Sequence, residues 1–461
     1  MSAFIGVWLI GRVAAGLRSL IRHWMLTSLV IVIAVIVRVS AARVAVAVLI
    51  VAGGAALGIW RVAWPDSFTR DVAWRVRGLW RASRVYRRRW PVAMLTSRLS
   101  FHHEGEHHLP RLVGVRIVGD ADLLQVRMLP GQTVASWEEA ADGLAQTFGV
   151  GGCRVRTVPG RPHDLNLWML VRDPLVVEVA PFEMSDGPVD LTALPVALGE
   201  DGAIYRLRLL GSHLLIVGAT GSGKGTVIWS ILAALTPGIG SGLVQVIALD
   251  PKGGVELALG QRLFSRFIYG DPGSRPTFGA ECADALEDLV ALMQRRQRLL
   301  RGVARLHTPT SAEPLIVVLI DEVANLTSSL VGRECAQRIA NALALLLSQG
   351  RAAGVAVIAS AQDPLELAAL RDLFPTRIGL RMTAAAQVAR VFGPDARERG
   401  ARCDQIPENL PGIGYVSLEG IREPVRVRFT HMRDSDLTLL TDRANRRSPD
   451  QPLPPSWTAT G

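Results

Sequence analysis

Apolar and polar positions in this chain follow three different patterns. Before residue 61, two uncharged runs, Trp24 to Val37 and Val44 to Trp60, are apolar on every face and are separated by a short stretch bounded by Arg38 and Arg43. Between residues 112 and 170 the pattern alternates, over Leu112 to Val118, Leu123 to Met128, Cys153 to Thr157 and Asn166 to Leu170, around a helical stretch from Trp137 to Phe148. Alternation marks strands with one buried face, so a small α+β domain of strand, strand, helix, strand, strand is predicted. After residue 200 the strands change character. Leu214 to Val217, Val244 to Asp250, Pro314 to Ile320 and Val355 to Ser360 are continuous apolar runs, each ending in polar or small residues. Such runs belong to strands covered by helices on both faces of a parallel sheet. Helical stretches over Val227 to Leu235 and Ala283 to Arg301 alternate with them, which makes the fold class α/β with a parallel-rich sheet.

The boundaries that follow are 1–95 for a membrane hairpin with its basic flank, 96–190 for the small domain and linker, 191–432 for the large α/β domain, and 433–461 for a tail. The tail turns polar and then proline-rich from Ser448 to Ser456, and disorder is expected there. A helix needs about 20 residues to cross a bilayer core, so the two N-terminal runs, over about residues 20–37 and 44–60, read as a transmembrane helical hairpin. Arg12, Arg18 and Arg22 precede it and nine arginines from Arg61 to Arg89 follow. The excess of arginine on both flanks places both ends in the cytoplasm, which predicts a multi-pass protein of the cell membrane with its large domain inside. A cleaved signal peptide fails on the second run and its basic flank. Buried soluble helices are the remaining alternative.

Charge sharpens this picture. The formal net charge is +10, but residues 1–95 hold 14 Arg against Asp66 and Asp71, leaving about −2 for the rest. The basicity thus belongs to the membrane region and is no sign of DNA binding; Arg81 to Arg89 suit an anionic lipid surface. Four widely spaced cysteines, Cys153, Cys282, Cys335 and Cys403, form no metal or disulfide framework. His102 to His108 holds four histidines and two carboxylates, read as a loop in which chelation is the lesser alternative. Arg295, Arg296, Arg298 and Arg301 either line a DNA path or answer the helix dipole.

Lysine is nearly absent. Lys224 and Lys252 are the only two among 51 basic residues. Lys224 lies in Gly218, Ala219, Thr220, Gly221, Ser222, Gly223, Lys224, Gly225, Thr226, which fits G-x-x-x-x-G-K between a strand and a helix. Backbone N–H groups of such a loop cradle phosphates, and a compact ammonium grips the β- and γ-phosphates, so ATP is the expected ligand. The Ser or Thr that normally follows the lysine and ligates Mg²⁺ is here Gly225; either Thr226 or a water takes that position. Asp321 and Glu322 close the strand Pro314 to Ile320, placed for a Mg²⁺ shell and for polarising the attacking water respectively. Gln362 ends another strand, where an amide can meet the γ-phosphate or the water. Lys252 suits an ion pair with a neighbouring carboxylate at least as well as a phosphate.

Taken with Gly199 to Gly202, Asp250 to Leu257, Gly350 to Gly354, Pro375 to Ile378 and Pro411 to Tyr415, these residues resemble the FtsK/SpoIIIE DNA translocases, and more narrowly the actinobacterial conjugation (Tra) translocases of plasmids and integrative elements. The resemblance spans about residues 195–430, and Gly225 looks like the conjugation branch. It implies a RecA-like P-loop motor that assembles as a homo-hexamer around double-stranded DNA and hydrolyses ATP with Mg²⁺. It also implies an arginine supplied in trans, for which Arg351 and Arg377 lie in the family motifs. The small domain resembles the one that precedes the motor in the family and implies ring packing. The usual winged-helix DNA reader after the motor is not expected in the roughly 30 residues that remain. Chromosome segregation, a type VII-like protein-secretion ATPase and a non-hydrolysing scaffold are the competing functions. Intact Asp321 and Glu322 count against the last.

Overall fold

The computed structural model describes residues 32–33, 42–68, 74–103, 105–118, 121–158, 160–183, 188–270, 275–328, 331–367, 370–397, 399–421 and 423–446. The first apolar run therefore lies outside the described residues except for residues 32–33. The chain divides into two compact units, one of residues up to Trp90 with Leu112–Ile117, the other of Pro91–Arg111 and everything from Val118 onward.

In the first unit the second apolar run forms α1 (Ala42–Ala63), followed by α2 (Pro65–Phe68) and α3 (Trp74–Arg81). A π-helical turn over Ala82–Arg87 then leads into α4 (Arg88–Thr96). Among residues whose side chains are described, no helix is long and apolar enough to cross a membrane. Val76, Leu79 and Trp80 are exposed on α3, whereas Tyr86 is fully buried and its hydroxyl accepts a hydrogen bond from Arg81 Nη2 at 3.2 Å.

The histidine-rich stretch is a hairpin rather than a loop. β1 (Phe101–His103) pairs with β2 (Glu106–His108) antiparallel, and Gly105, at φ 83°, supplies the left-handed turn that a tight hairpin needs. His102 and His107 face each other with ring centroids 4.6 Å apart. Among the described residues no group of three ligand-type side chains is placed to hold a metal ion.

All five expected elements of the small domain form. β3 (Arg111–Val118) falls with the first unit, while β4 (Ala121–Arg127), α5 (Val134–Phe148), β5 (Gly152–Val158) and β6 (Arg161–Leu170) fall in the second. The antiparallel order β4-β6-β5 presents alternate residues to α5, whose Trp137, Leu144 and Phe148 are buried. Thr133 and Ser136 cap its start reciprocally.

The large domain is built on one ten-stranded mixed sheet. Its elements are β7 (Leu194–Gly199), β8 (Ile204–Leu207), β9 (Leu214–Val217), α6 (Lys224–Gly240), β10 (Val244–Asp250), β11 (Arg266–Tyr269), α7 (Arg275–Leu300), β12 (Leu315–Ile320), α8 (Val323–Thr327), α9 (Arg333–Gln349), β13 (Val355–Ala361), β14 (Thr376–Gly379), α10 (Ala385–Phe392), β15 (Ile413–Leu418), β16 (Val425–Phe429) and α11 (Asp434–Arg446). The strand order is β11-β10-β12-β13-β9-β14-β15-β16-β7-β8. The first six are parallel and the rest antiparallel. β12 shows why its run is continuous: Ile316, Val318 and Ile320 enter the core under α7 and α9, and Leu315, Val317 and Leu319 enter the core under α6.

Two expectations from sequence are corrected here. The segment after residue 432 begins as a helix, because Leu437 and Leu440 of α11, three residues apart, join the α6 core; residues 447–461 lie outside the described ones. Arg296 does not line a DNA path. It is 2% exposed, donates to the carbonyls of Pro314, Ala353 and Gly354 at 2.8, 3.2 and 3.2 Å, and pairs with Glu313 at 2.9 Å. The guanidinium supplies donors to the Pro314 and Ala353 carbonyls at the entry to β12 and β13, and adds to the Ile316 N–H that Gly354 O accepts at 3.0 Å.

Candidate functional site

The chemistry-bearing residues expected from sequence, except Thr226 and the two arginines, collect at the C-terminal ends of β9, β10, β12 and β13, where ligands bind in open parallel sheets. The phosphate loop leaves β9 and is fastened on two sides. Gly218 N–H donates to Ala361 O at 3.2 Å and Ala219 N–H to Arg381 O at 2.9 Å. On the other side Gly412 N–H donates to Ser222 O at 3.0 Å. Gly223 stands at φ 97°, and a Cβ there would collide with the Gly412 backbone. The stretch Pro411 to Tyr415 is therefore a buttress for the loop.

Lys224 opens α6 and donates from Nζ to Gly218 O at 2.8 Å and Ala219 O at 3.4 Å, so its ammonium sits over the loop. Burial depresses its pKa, against the pull of Glu322. Thr220 Oγ1 donates to Gln362 Oε1 at 3.0 Å, which brings the expected sensor onto the loop. Gln362 N–H in turn donates to Glu322 Oε1 at 3.0 Å.

Asp321 and Glu322 are 2% and 5% exposed. Ser360 links them: its hydroxyl donates to Asp321 Oδ1 at 2.9 Å and accepts from Glu322 N–H at 3.2 Å. Glu322 adopts φ 70°, ψ 74°, a left-handed backbone that costs a non-glycine residue about 1–3 kcal/mol. Lys252 completes the cluster, with Nζ 3.3 Å from Asp321 Oδ2 and 3.4 Å from Glu322 Oε2. Burial alone would lower its pKa, but the two carboxylates outweigh that and hold it above its ordinary value. The ion pair expected of Lys252 thus exists, and its partners are the two carboxylates of the site. Asp250 is wholly buried, accepts from Lys252 N–H at 2.8 Å, and is pushed up in pKa by burial.

Of the two residues expected to hold Mg²⁺, only Asp321 stands in this cluster. Thr226 turns its methyl toward Gly412, about 100° around α6 from Gly225. Arg351 and Arg377 lie at the opposite end of the sheet, before β13 and at the start of β14. Arg351 pairs with Glu419 at 3.2 Å; Arg377 donates to Phe374 O and Val391 O at 3.1 and 3.2 Å and pairs with Asp372 at 3.3 Å. Neither reaches the phosphate loop of its own chain. Sequence reasoning missed Arg381, whose Nη2 donates to Thr220 O at 3.0 Å, and Ser360. The signal for Ser360 was its place as the one polar residue in the run Val355 to Ala361.

A glycine loop with its lysine, a buried Asp-Glu pair and an amide on one strand edge define a P-loop nucleotide-hydrolysing domain. A model described as "FtsK/SpoIIIE family" matches residues 176–406, half of the chain, and the protein belongs to that family of P-loop ATPases. DNA translocase FtsK of Chlorobaculum tepidum is 26% identical over 377 residues, covering 76% of this chain and 44% of that protein. Its counterpart from Streptococcus pyogenes serotype M3 is 28% identical over 285 residues, covering 57% and 33%. The chain thus spans less than half the length of these curated relatives. Among solved structures, the pCW3 conjugation coupling protein TcpA, a monomer form with ATPγS, superposes with TM-score 0.50 at 17% identity, covering 78% of this chain and 99% of that one. At that identity the likeness concerns the fold.

Proposed function

We propose that this chain is a membrane-anchored ATPase that moves double-stranded DNA through a homo-hexameric ring, in conjugative transfer of a mobile element. The observation that carries the reading is the convergence of Lys224, Asp321, Glu322 and Gln362 on one phosphate loop. Family membership and relatives named DNA translocase support DNA as the substrate. The glycine at 225, the short membrane region and a fold neighbour named as a conjugation coupling protein are in keeping with transfer rather than chromosome segregation.

In this mechanism the loop N–H groups from Thr220 to Gly225, apart from that of Ser222, which donates to Ala219 O at 3.1 Å, orient the triphosphate together with the Lys224 ammonium. Glu322, fixed by its strained backbone and by Gln362 N–H, accepts the proton of the attacking water. The residues fit a Mg²⁺ ion: Asp321 is a buried carboxylate at the end of β12 whose Oδ2 faces a cation already, the Lys252 ammonium at 3.3 Å, and with the phosphates it would hold the ion. Bound Mg²⁺ supplies charge neutralisation at the phosphate oxygens. Gln362 touches both Thr220 and Glu322, so a change at the phosphates is felt at the end of β13. An arginine from the neighbouring subunit, Arg351 or Arg377, completes the site and makes turnover depend on the ring.

The test is the ATPase rate of the 461-residue chain with and without duplex DNA. Stimulation by duplex DNA supports the reading, and a rate indifferent to DNA sinks it. Flotation with anionic vesicles, lost when residues 1–95 are removed, checks the anchor.

A further inference from the structure

We propose that Glu256 takes over the Mg²⁺-side role of the P-loop hydroxyl that Gly225 lacks, so that Gly225 and Glu256 form one exchanged unit of the nucleotide site. The inference rests on the nucleotide site proposed above and adds a residue to it. A Cβ built on Gly225 would collide with Glu256 Oε1, and Glu256 Cδ would lie 3.1 Å from it. The carboxylate therefore occupies the space where a serine or threonine at 225 would begin its side chain. Any residue larger than glycine at 225 would have to evict it.

Glu256 lies six residues beyond the end of β10, on the loop that also delivers Lys252. Its charge is felt by Asp321, Lys252, Lys224 and Asp250. Three carboxylate oxygens at the ends of β10 and β12 are buried, Asp250 Oδ2, Asp321 Oδ2 and Glu322 Oε2, and Asp250 is 0% exposed. Lys252 approaches two of these three and leaves Asp250 Oδ2 unanswered. Among the described residues no group of three ligand-type side chains is placed to hold a metal ion by itself. Mg²⁺ does not require one, since it is held by one or two carboxylates together with substrate phosphates and waters. A hydroxyl contributes a neutral oxygen, whereas Glu256 contributes a charged one. The exchange therefore strengthens attraction for the metal and repels a metal-free triphosphate, making binding more strictly dependent on Mg²⁺.

The experiment measures the dissociation constant of the whole chain for ATPγS with excess Mg²⁺ and again in EDTA, for wild type, Glu256→Gln, Gly225→Ser and the double variant that combines Gly225→Ser with Glu256→Ala. In Glu256→Gln, Mg²⁺-dependent affinity is expected to weaken about tenfold, the lower end of what altering a metal-site partner costs. EDTA affinity is expected to stay equal or tighten. The double variant is expected to recover most of the loss, because removing the glutamate side chain gives the serine hydroxyl both the room and the position. Mn²⁺ electron paramagnetic resonance of the nucleotide complex follows the same order, with Glu256→Gln altered and the double variant restored. Equal weakening with and without Mg²⁺, an unchanged Glu256→Gln, or a double variant no better than Glu256→Gln would each overturn the proposal. If wild type binds no ATPγS under either condition, the nucleotide site itself fails, which is a different outcome.

Discussion

At the residue scale, the two lysines divide the work of one cluster. Lys224 faces the phosphate loop and Lys252 faces the carboxylates, so their replacement should fail in different ways. Lys224→Arg places a planar fork where a point charge is needed, and ATP turnover should fall on the order of 100-fold. Lys252→Met leaves Asp321 and Glu322 buried together without their cation, which should cost about 3 kcal/mol of stability along with turnover. Lys252→Arg keeps the charge and should hold turnover within about threefold of wild type, since what it balances is charge. Thermal melts beside steady-state ATPase rates separate these cases. Much of this site was legible in the chain: the rarity of lysine and the apolar runs ending in Asp321 and Gln362 pointed to the right strand edge. The partners of Lys252 were not, because 69 residues separate it from Asp321 and only the order β10-β12 brings them together.

At the element scale, buried polar side chains set the spacing of the strands that carry the loop. His213 precedes β9, is wholly buried, and its Nδ1 accepts the Val357 N–H of β13 at 3.0 Å. Burial first, and then the charge of Arg351, lower its pKa to about 4. A histidine depressed in the folded state binds fewer protons there than in the unfolded chain. Its contribution is present above the unfolded value of about 6.5 and is lost as pH falls toward 4. Stability should drop by about 3 kcal/mol across that window, at 1.36 kcal/mol per unit. His213→Phe should be less stable at pH 8, since Val357 N–H loses its acceptor, yet flatter between pH 6.5 and 4. Denaturant titrations at several pH values would show both. Arg296→Ala should cost about 2 kcal/mol by taking the donor from the Pro314 and Ala353 carbonyls, while Glu313 keeps Arg295 at 3.1 Å, lowering Tm by roughly 4–8 °C. Periodicity exposed neither role. It located α7 and β12, but a histidine at a strand entry and an arginine in a basic helix end read the same from sequence whether buried or solvated. The helix α11 was missed for a related reason: its few apolar residues look polar on average, and only their spacing on one face matches the core that receives them.

At the scale of the whole molecule, the position of the two arginines bears on whether one chain can work alone. The phosphate loop leaves the C-terminal ends of the parallel strands, and Arg351 and Arg377 sit at the N-terminal ends, so neither completes its own site. They also differ in how firmly they are held. Arg377 is fastened to two backbone carbonyls and Asp372 and is 20% exposed, the profile of a structural side chain. Arg351 is 44% exposed, and its partner Glu419 is 69% exposed. A surface pair of that kind is worth about 0–1 kcal/mol, so Arg351 is free to exchange Glu419 for a neighbour's phosphates at little cost. Arg351→Ala should therefore leave Tm nearly unchanged and lower kcat about 1000-fold, the lower range for a transition-state arginine. Arg377→Ala should lose stability first. The decisive arrangement mixes two inactive chains. Arg351→Ala retains an intact loop and lacks the arginine; Lys224→Ala has a dead loop and still offers Arg351. In a ring, some interfaces pair a good loop with a good arginine, so the mixture should regain turnover that neither variant shows alone, with a maximum near equal proportions. Activity that never exceeds that of either variant alone would mean that the arginine acts within its own chain or not at all, and would remove the main reason for expecting a ring.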